Sequence, residues 1–209
     1  MRVAASAVLY PNVRLGRDVV IEDFCVIGCP PRGVLPGAIE TVIGDGAVVR
    51  SHSVIYAGNI IGRGFASGHH AFLRESNEIG DDVSIGTHSI IEHHVRIGAG
   101  VRIHSRAFIP EYSVLHDACW IGPGVVLTNA KYPASPDAKS NLRGVVVGSK
   151  ARIGANATIL PGLVVGEGSL VGAGAVVTRD VAPGHVVAGN PASQLGLVRN
   201  LPYGEEASQ

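Results

Sequence analysis

The 209 residues balance 17 Lys and Arg against 17 Asp and Glu, carry nine histidines, and are 46% hydrophobic. A net charge of zero excludes the basic surface that phosphate-backbone binding demands, so no nucleic-acid partner is expected, and so apolar a composition excludes a solvated, disordered chain. The three cysteines, Cys25, Cys29 and Cys119, form no CxxC pair, which fits a reducing compartment and argues against a zinc knuckle.

The first residues, MRVAASAVLYPNVRLG, hold no continuous apolar run, and later uncharged stretches are broken by Gly, Asn and Pro. The sequence therefore predicts a soluble, cytoplasmic protein without a membrane partner. What the chain does carry is an aliphatic residue at every sixth position. A first block runs Val3, Leu9, Leu15, Ile21 and Ile27, and the register lapses over 33–42. A second block runs from Ile43 to Leu127, through Ile79, Ile85, Ile91, Ile97, Ile103, Ile109, Leu115 and Ile121. The register lapses again over 133–146, and a third block runs from Val147 through Ile153, Ile159, Val165, Val171 and Val177 to Pro183. Of these 27 hexads only two, at Ser67 and Pro183, lack an aliphatic first residue, and 14 have Gly second.

A period of six is no multiple of the 3.6-residue helical turn, but it suits a short strand followed by a corner, with the first and fifth side chains pointing inward. Three hexads close a triangular coil of about 18 residues, and successive coils stack as parallel strands about 4.8 Å apart. The expected fold is all-β, a parallel β-helix of about nine coils spanning 1–192, with protruding loops at 33–42 and 133–146 and a cap and tail at 193–209. Long excursions from a rigid scaffold commonly cover sites, so the second loop marks a candidate site.

Residues 18 apart should stack along one corner. One such ladder holds Glu75, His93, Glu111 and Asn129, the last just before the longer excursion. A carboxylate on the coil below His93 and another above favour its imidazolium form and poise it for proton transfer. His69 and His94 lie outside the ladder, and with Tyr132, at the edge of the excursion, they are candidates for substrate contact. A second corner stacks His52, His70, His88 and Arg106. Imidazoles packed so closely repel when protonated, so they are expected to be largely neutral, a hydrogen-bonded surface ladder rather than a metal site.

The aliphatic-Gly hexads, with the closing elements VGAGAVVT and AGNPA, resemble the hexapeptide-repeat acyltransferase superfamily, and GVVLTNAKYP followed by a loop and IGANATILPG is similar to its N-acetyltransferases of nucleotide-linked amino sugars. The resemblance implies the left-handed form of the helix, a homotrimer with sites between subunits, and acetyl-CoA as co-substrate. It also implies that coenzyme A is held by backbone at Gly154, Ala155, Gly172 and Ala173, with Arg179 near a phosphate. A related branch acting on UDP-linked 4-amino sugars carries its general base in a segment matched here by IEHHVRIG, which assigns that role to His93 and puts His94 where the branch has an acidic residue. Glu75 and Glu111 are then expected to orient the base, and Asn129 to position the acceptor.

Two other readings stand beside it. The gamma-class carbonic anhydrases share the repeat and use two histidines with the spacing of His88 and His93, but their third ligand falls near Tyr56, which cannot replace imidazole. A solenoid can also serve as a non-catalytic scaffold, although a polar ladder beside an out-of-register loop argues against that.

Overall fold

The computed structural model describes residues 1–203. Among them the chain forms 28 strands and two three-residue 3-10 turns, and no helix is long and apolar enough to cross a membrane. Most strands are two residues long because the hexad permits no more, as in Ile90–Ile91, Arg96–Ile97 and Arg102–Ile103. Consecutive strands go to three different sheets, here named A, B and C, of 11, 9 and 8 strands. Pairing is parallel at the predicted spacing: Ile91 lies between Leu73 and Ile109. The architecture is the left-handed parallel β-helix, with nine strands in sheet B marking nine coils.

First-position residues from Ile21 to Val177 line the interior with almost no exposure, and fifth-position residues such as Ala47, Phe65, Val95 and Ala157 fill the corners from within. Glycine at the second position answers to the next coil: a Cβ on Gly86 would sit 2.3 Å from the Ser105 nitrogen. The fourth position turns in the left-handed region, with φ of 63° at His52 and 57° at His94. Where a fifth-position residue is polar it serves the backbone. Asn59 and Asn77 both donate from Nδ2 to the Arg74 carbonyl, at 2.7 and 2.9 Å, and the Asn77 Oδ1 accepts from the Val95 N–H at 2.8 Å.

Three boundaries differ from the spacing argument. Thr41 and Val42 already pair with Val13 and Arg14, and Val146 with Val114, so the excursions end earlier than 42 and 146. The seventh hexad of the last block is also short. Val181, not Pro183, is buried and bridges Val165, because proline has no N–H to donate while the Asp180 carboxylate accepts from the Val164 N–H at 2.8 Å. Finally, Ala192–Leu197 pairs antiparallel with His185–Gly189, the last parallel strand of sheet A, and Val198 beyond it is buried. The tail from 204 to 209 lies outside the described residues.

Both excursions leave the helix at the same kind of corner. The first follows Val26–Cys29 in sheet B and returns at Thr41–Ile43 in sheet C; the second follows Val126–Leu127 in B and returns at Val146–Val147 in C. The B–C corners of the intervening coils, including Arg74–Ser76, Glu92–His94 and Pro110–Tyr112, thus form a ledge between two projections.

Candidate active site at the B–C corner

The predicted ladder is present on this ledge, and it is connected unevenly. His93 Nε2 lies 3.5 Å from Glu111 Oε1, both side chains only 23% exposed, and the other Glu111 oxygen accepts from Asn129 Nδ2 at 2.5 Å. Glu75 is turned away from His93 and toward Arg74, whose Nε and Nη2 reach its two oxygens at 2.8 and 2.9 Å. His93 reaches Glu75 only as a charge through space, the smallest of the influences on that carboxyl. Burial pushes the Glu75 carboxyl up, but the paired Arg74 guanidinium outweighs this and holds it below the ordinary carboxylate value.

Three residues of the site were not singled out by the hexad spacing. Arg74 sits at the second position, where glycine is commonest, and there it braces Glu75, reaches Glu92 at 3.2 Å, and lies 5.5 Å from the centre of the Tyr56 ring. Glu92 lies beside His93 in sequence; burial pushes its carboxyl above the usual value, Arg74 opposes this, and the neighbouring Glu111 adds to it. Tyr112 packs with its ring centre 6.0 Å from that of His93 and 5.9 Å from that of His94. Stacking by 18 from His94 would have found Tyr112; nothing in the repeat marks Arg74.

His94 is closer to the centre than expected. Its Nδ1 lies 2.8 Å from the Nδ1 of His93, the rings meeting edge to face at 87°. It is exposed and lines a cavity with Ser76, Glu78, Arg96, Tyr112 and Val114. The other two candidates for substrate contact lie apart. His69 is on the A–B corner, where its Nδ1 meets Ser51 Oγ at 2.9 Å, and Tyr132, 68% exposed, lines a separate cavity within the second excursion with Lys131, Ser135, Asn141 and Arg143.

The A–B corner carries the histidine column. His52 and His70 stack with ring centres 4.7 Å apart, His70 and His88 at 4.8 Å, and Phe24 extends the column below His52 at 5.0 Å. Desolvation by its neighbours lowers the His70 pKa first, and the charges of His52, His88 and His69 lower it further, which favours the neutral form of His70. His88 and His93 occupy different corners, at the two ends of the strand Ile90–Ile91. Among the described residues no group of three or more His, Cys, Asp or Glu side chains is arranged to hold a metal ion.

Of the residues matched to coenzyme A binding, Gly154 stacks with Gly172 and Ala155 with Ala173 on the A–B corner, close to the C-terminal end of the helix. A Cβ on Gly154 would sit 2.5 Å from the Ala173 nitrogen, so this glycine is already required by coil stacking. Arg179 is on the B–C corner instead, exposed, and lines a cavity with Thr178, Asp180, His185 and Gln194. It lies on the same edge as His93, four coils or about 19 Å along the axis.

A family model described as bacterial transferase hexapeptide (six repeats) matches residues 78–111 and 144–179. Nodulation protein L of Rhizobium meliloti (strain 1021) is 50% identical over 84 residues, which are 38% of this chain and 46% of that protein, so the match spans under half of the relative's length. Among solved structures, UDP-N-acetylglucosamine acyltransferase from Arabidopsis superposes with a TM-score of 0.63 at 18% identity, over 98% of this chain and 78% of that one. LpxA from Acinetobacter baumannii superposes with a TM-score of 0.57 at 16% identity, over 95% of this chain and 73% of that one. At such identities the likeness is one of fold. The family model covers IEHHVRIG and IGANATILPG, the relative shares sequence over part of its length and the structures share the coil, so the chain carries the bacterial transferase hexapeptide repeat and its fold is that of those solved structures.

Proposed function

We propose that the protein transfers an acyl group, an acetyl group in the first instance, from coenzyme A to the amino group of a nucleotide-linked amino sugar. One observation carries this reading: an imidazole, His93, is set between a carboxylate at 3.5 Å and a second imidazole at 2.8 Å, on a ledge flanked by both excursions. A neutral amine attacking a thioester must shed a proton as the C–N bond forms, and His93 is the base of the site, with Glu111 stabilising the imidazolium that results. Asn129 fixes the Glu111 carboxylate at 2.5 Å and so holds that partner in place. A nucleotide-linked acceptor fits the name of the acyltransferase from Arabidopsis and the resemblance of IEHHVRIG to bases acting on UDP-linked amino sugars.

Gly154, Ala155, Gly172, Ala173 and Arg179 are assigned to coenzyme A, His69, His94 and Tyr132 to the acceptor, and the working assembly is a cytoplasmic homotrimer. The full chain, incubated with acetyl-CoA and a panel of UDP-linked amino sugars, should release free thiol only when an amine acceptor is present. Release at the same rate with hydroxyl-only UDP-sugars, or none with any amine, would contradict the proposal.

A further inference from the structure

The two Nδ1 atoms of His93 and His94, 2.8 Å apart, are at hydrogen-bond distance. They cannot both carry a proton there, nor both be bare, so one proton lies between them. With both rings neutral there are two arrangements. In one, His93 donates from Nδ1 and its bare Nε2 faces the Glu111 carboxylate at 3.5 Å, lone pair against negative charge. In the other, His94 donates from Nδ1, His93 carries its proton on Nε2 toward Glu111, and the bare nitrogen is Nε2 of His94.

Electrostatics separates them. Glu111 attracts an N–H and repels a lone pair. The other charged or titratable groups around the pair do not reverse this: Arg74 is spent on Glu75 and Glu92, Glu92 adds further negative charge beside His93, and Tyr112 packs against both rings. Access agrees with charge. His93 is 23% exposed with Nε2 directed at Glu111, whereas His94 is exposed and lines the cavity of Ser76, Glu78, Arg96 and Tyr112.

We infer that His94 is the residue that takes the acceptor's proton, on Nε2, and that it passes charge inward to His93 through the shared Nδ1 proton. This rests on the acyl-transfer reading of the site. As the amine nitrogen bonds to the thioester carbon, its proton moves to Nε2 of His94, and the Nδ1 proton of His94 moves to Nδ1 of His93. His94 is left neutral and His93 becomes an imidazolium against Glu111. When the C–S bond breaks, the relay runs backward and protonates the departing thiolate, so amine and thioester give amide and free thiol with both rings restored. The histidine in place of an acidic neighbour is then what extends the base outward, since a carboxylate at that position could orient His93 but not hand it a proton through a second ring.

The tautomers test this without any substrate. In the 15N-labelled full chain near pH 8, with His93→Gln and His94→Gln used for assignment, His94 should show a protonated Nδ1 and a bare Nε2, and His93 a protonated Nε2. A protonated Nε2 on His94 with a bare Nε2 on His93 would overturn the inference. In Glu111→Gln the preference should weaken, and an unchanged tautomer would also count against it.

Kinetics with acetyl-CoA and a UDP-linked 4-amino sugar separate the two levels of the argument. His94→Asn tolerates the left-handed backbone and still offers an N–H to His93, but it accepts no proton, so kcat should fall roughly a hundredfold. Normal kcat in His94→Asn with loss in His93→Ala would leave His93 as a direct base and sink the relay. Normal kcat in both would sink the acyl-transfer reading itself.

Discussion

At the scale of single residues, the carboxylates on the two sides of His93 do different work. Glu111 is in contact with it at 3.5 Å, whereas Glu75 is committed to Arg74 at 2.8 and 2.9 Å. Glu111→Gln should therefore lower kcat by about tenfold, and Glu75→Gln by clearly less. Equal losses, read from steady-state kinetics at saturating donor, would mean that through-space charge rather than contact governs the base. The 18-residue spacing made this ladder legible, since stacking alone places Glu75, His93, Glu111 and Asn129 on one edge. It could not rank them, because which carboxylate touches the imidazole is decided by Arg74, a second-position side chain whose direction the repeat does not specify.

At the scale of the elements, the hexad repeat is legible because inward residues recur with a fixed period, and it fails where a coil is not built from three hexads. The short last coil turns at Val181 rather than Pro183, and the second excursion ends with Val145 already buried. Both excursions share a corner, which the register implied although a loop-by-loop reading does not reveal it. Beneath the ledge, Asn77 joins the Arg74 carbonyl, which Asn59 also serves, and the Val95 N–H, so Asn77→Ala should cost about 1–3 kcal/mol by orphaning the buried Val95 N–H, seen as a lower chemical-denaturation midpoint. An unchanged midpoint would show that water or relaxation replaces those bonds. The excursion itself, through Lys131, Tyr132, Asn141 and Arg143, frames a cavity of its own just beyond Asn129 in the chain. Shortening it within 133–143 should raise the acceptor KM while leaving the β-sheet circular dichroism intact; unchanged kinetics would remove it from the site.

At the scale of the whole molecule, acid acts through His70 and the paired carboxylates. The lowered His70 pKa means that, as pH falls below about 6.5, the unfolded chain takes up the proton first, so stability declines on acidification. Glu22, Asp45, Glu75 and Asp81, all held low in the folded state with arginine partners, add a further loss below the ordinary carboxylate range, while Glu92, held high, acts the opposite way. His70→Phe keeps the stacking and removes one titration, so the drop in Tm from pH 7.5 to 5.5 should be smaller in the variant; an equal drop would place the acid sensitivity elsewhere. The same rigid stack that makes the column makes the ledge, and the claim that the ledge is an acyl-transfer site centred on His93 is open to one direct measurement. With acetyl-CoA and a UDP-linked 4-amino sugar, thiol release by His93→Ala should fall by roughly two to four powers of ten in kcat with coenzyme A affinity unchanged. A His93→Ala protein that turns over at the rate of the unaltered chain would contradict the account.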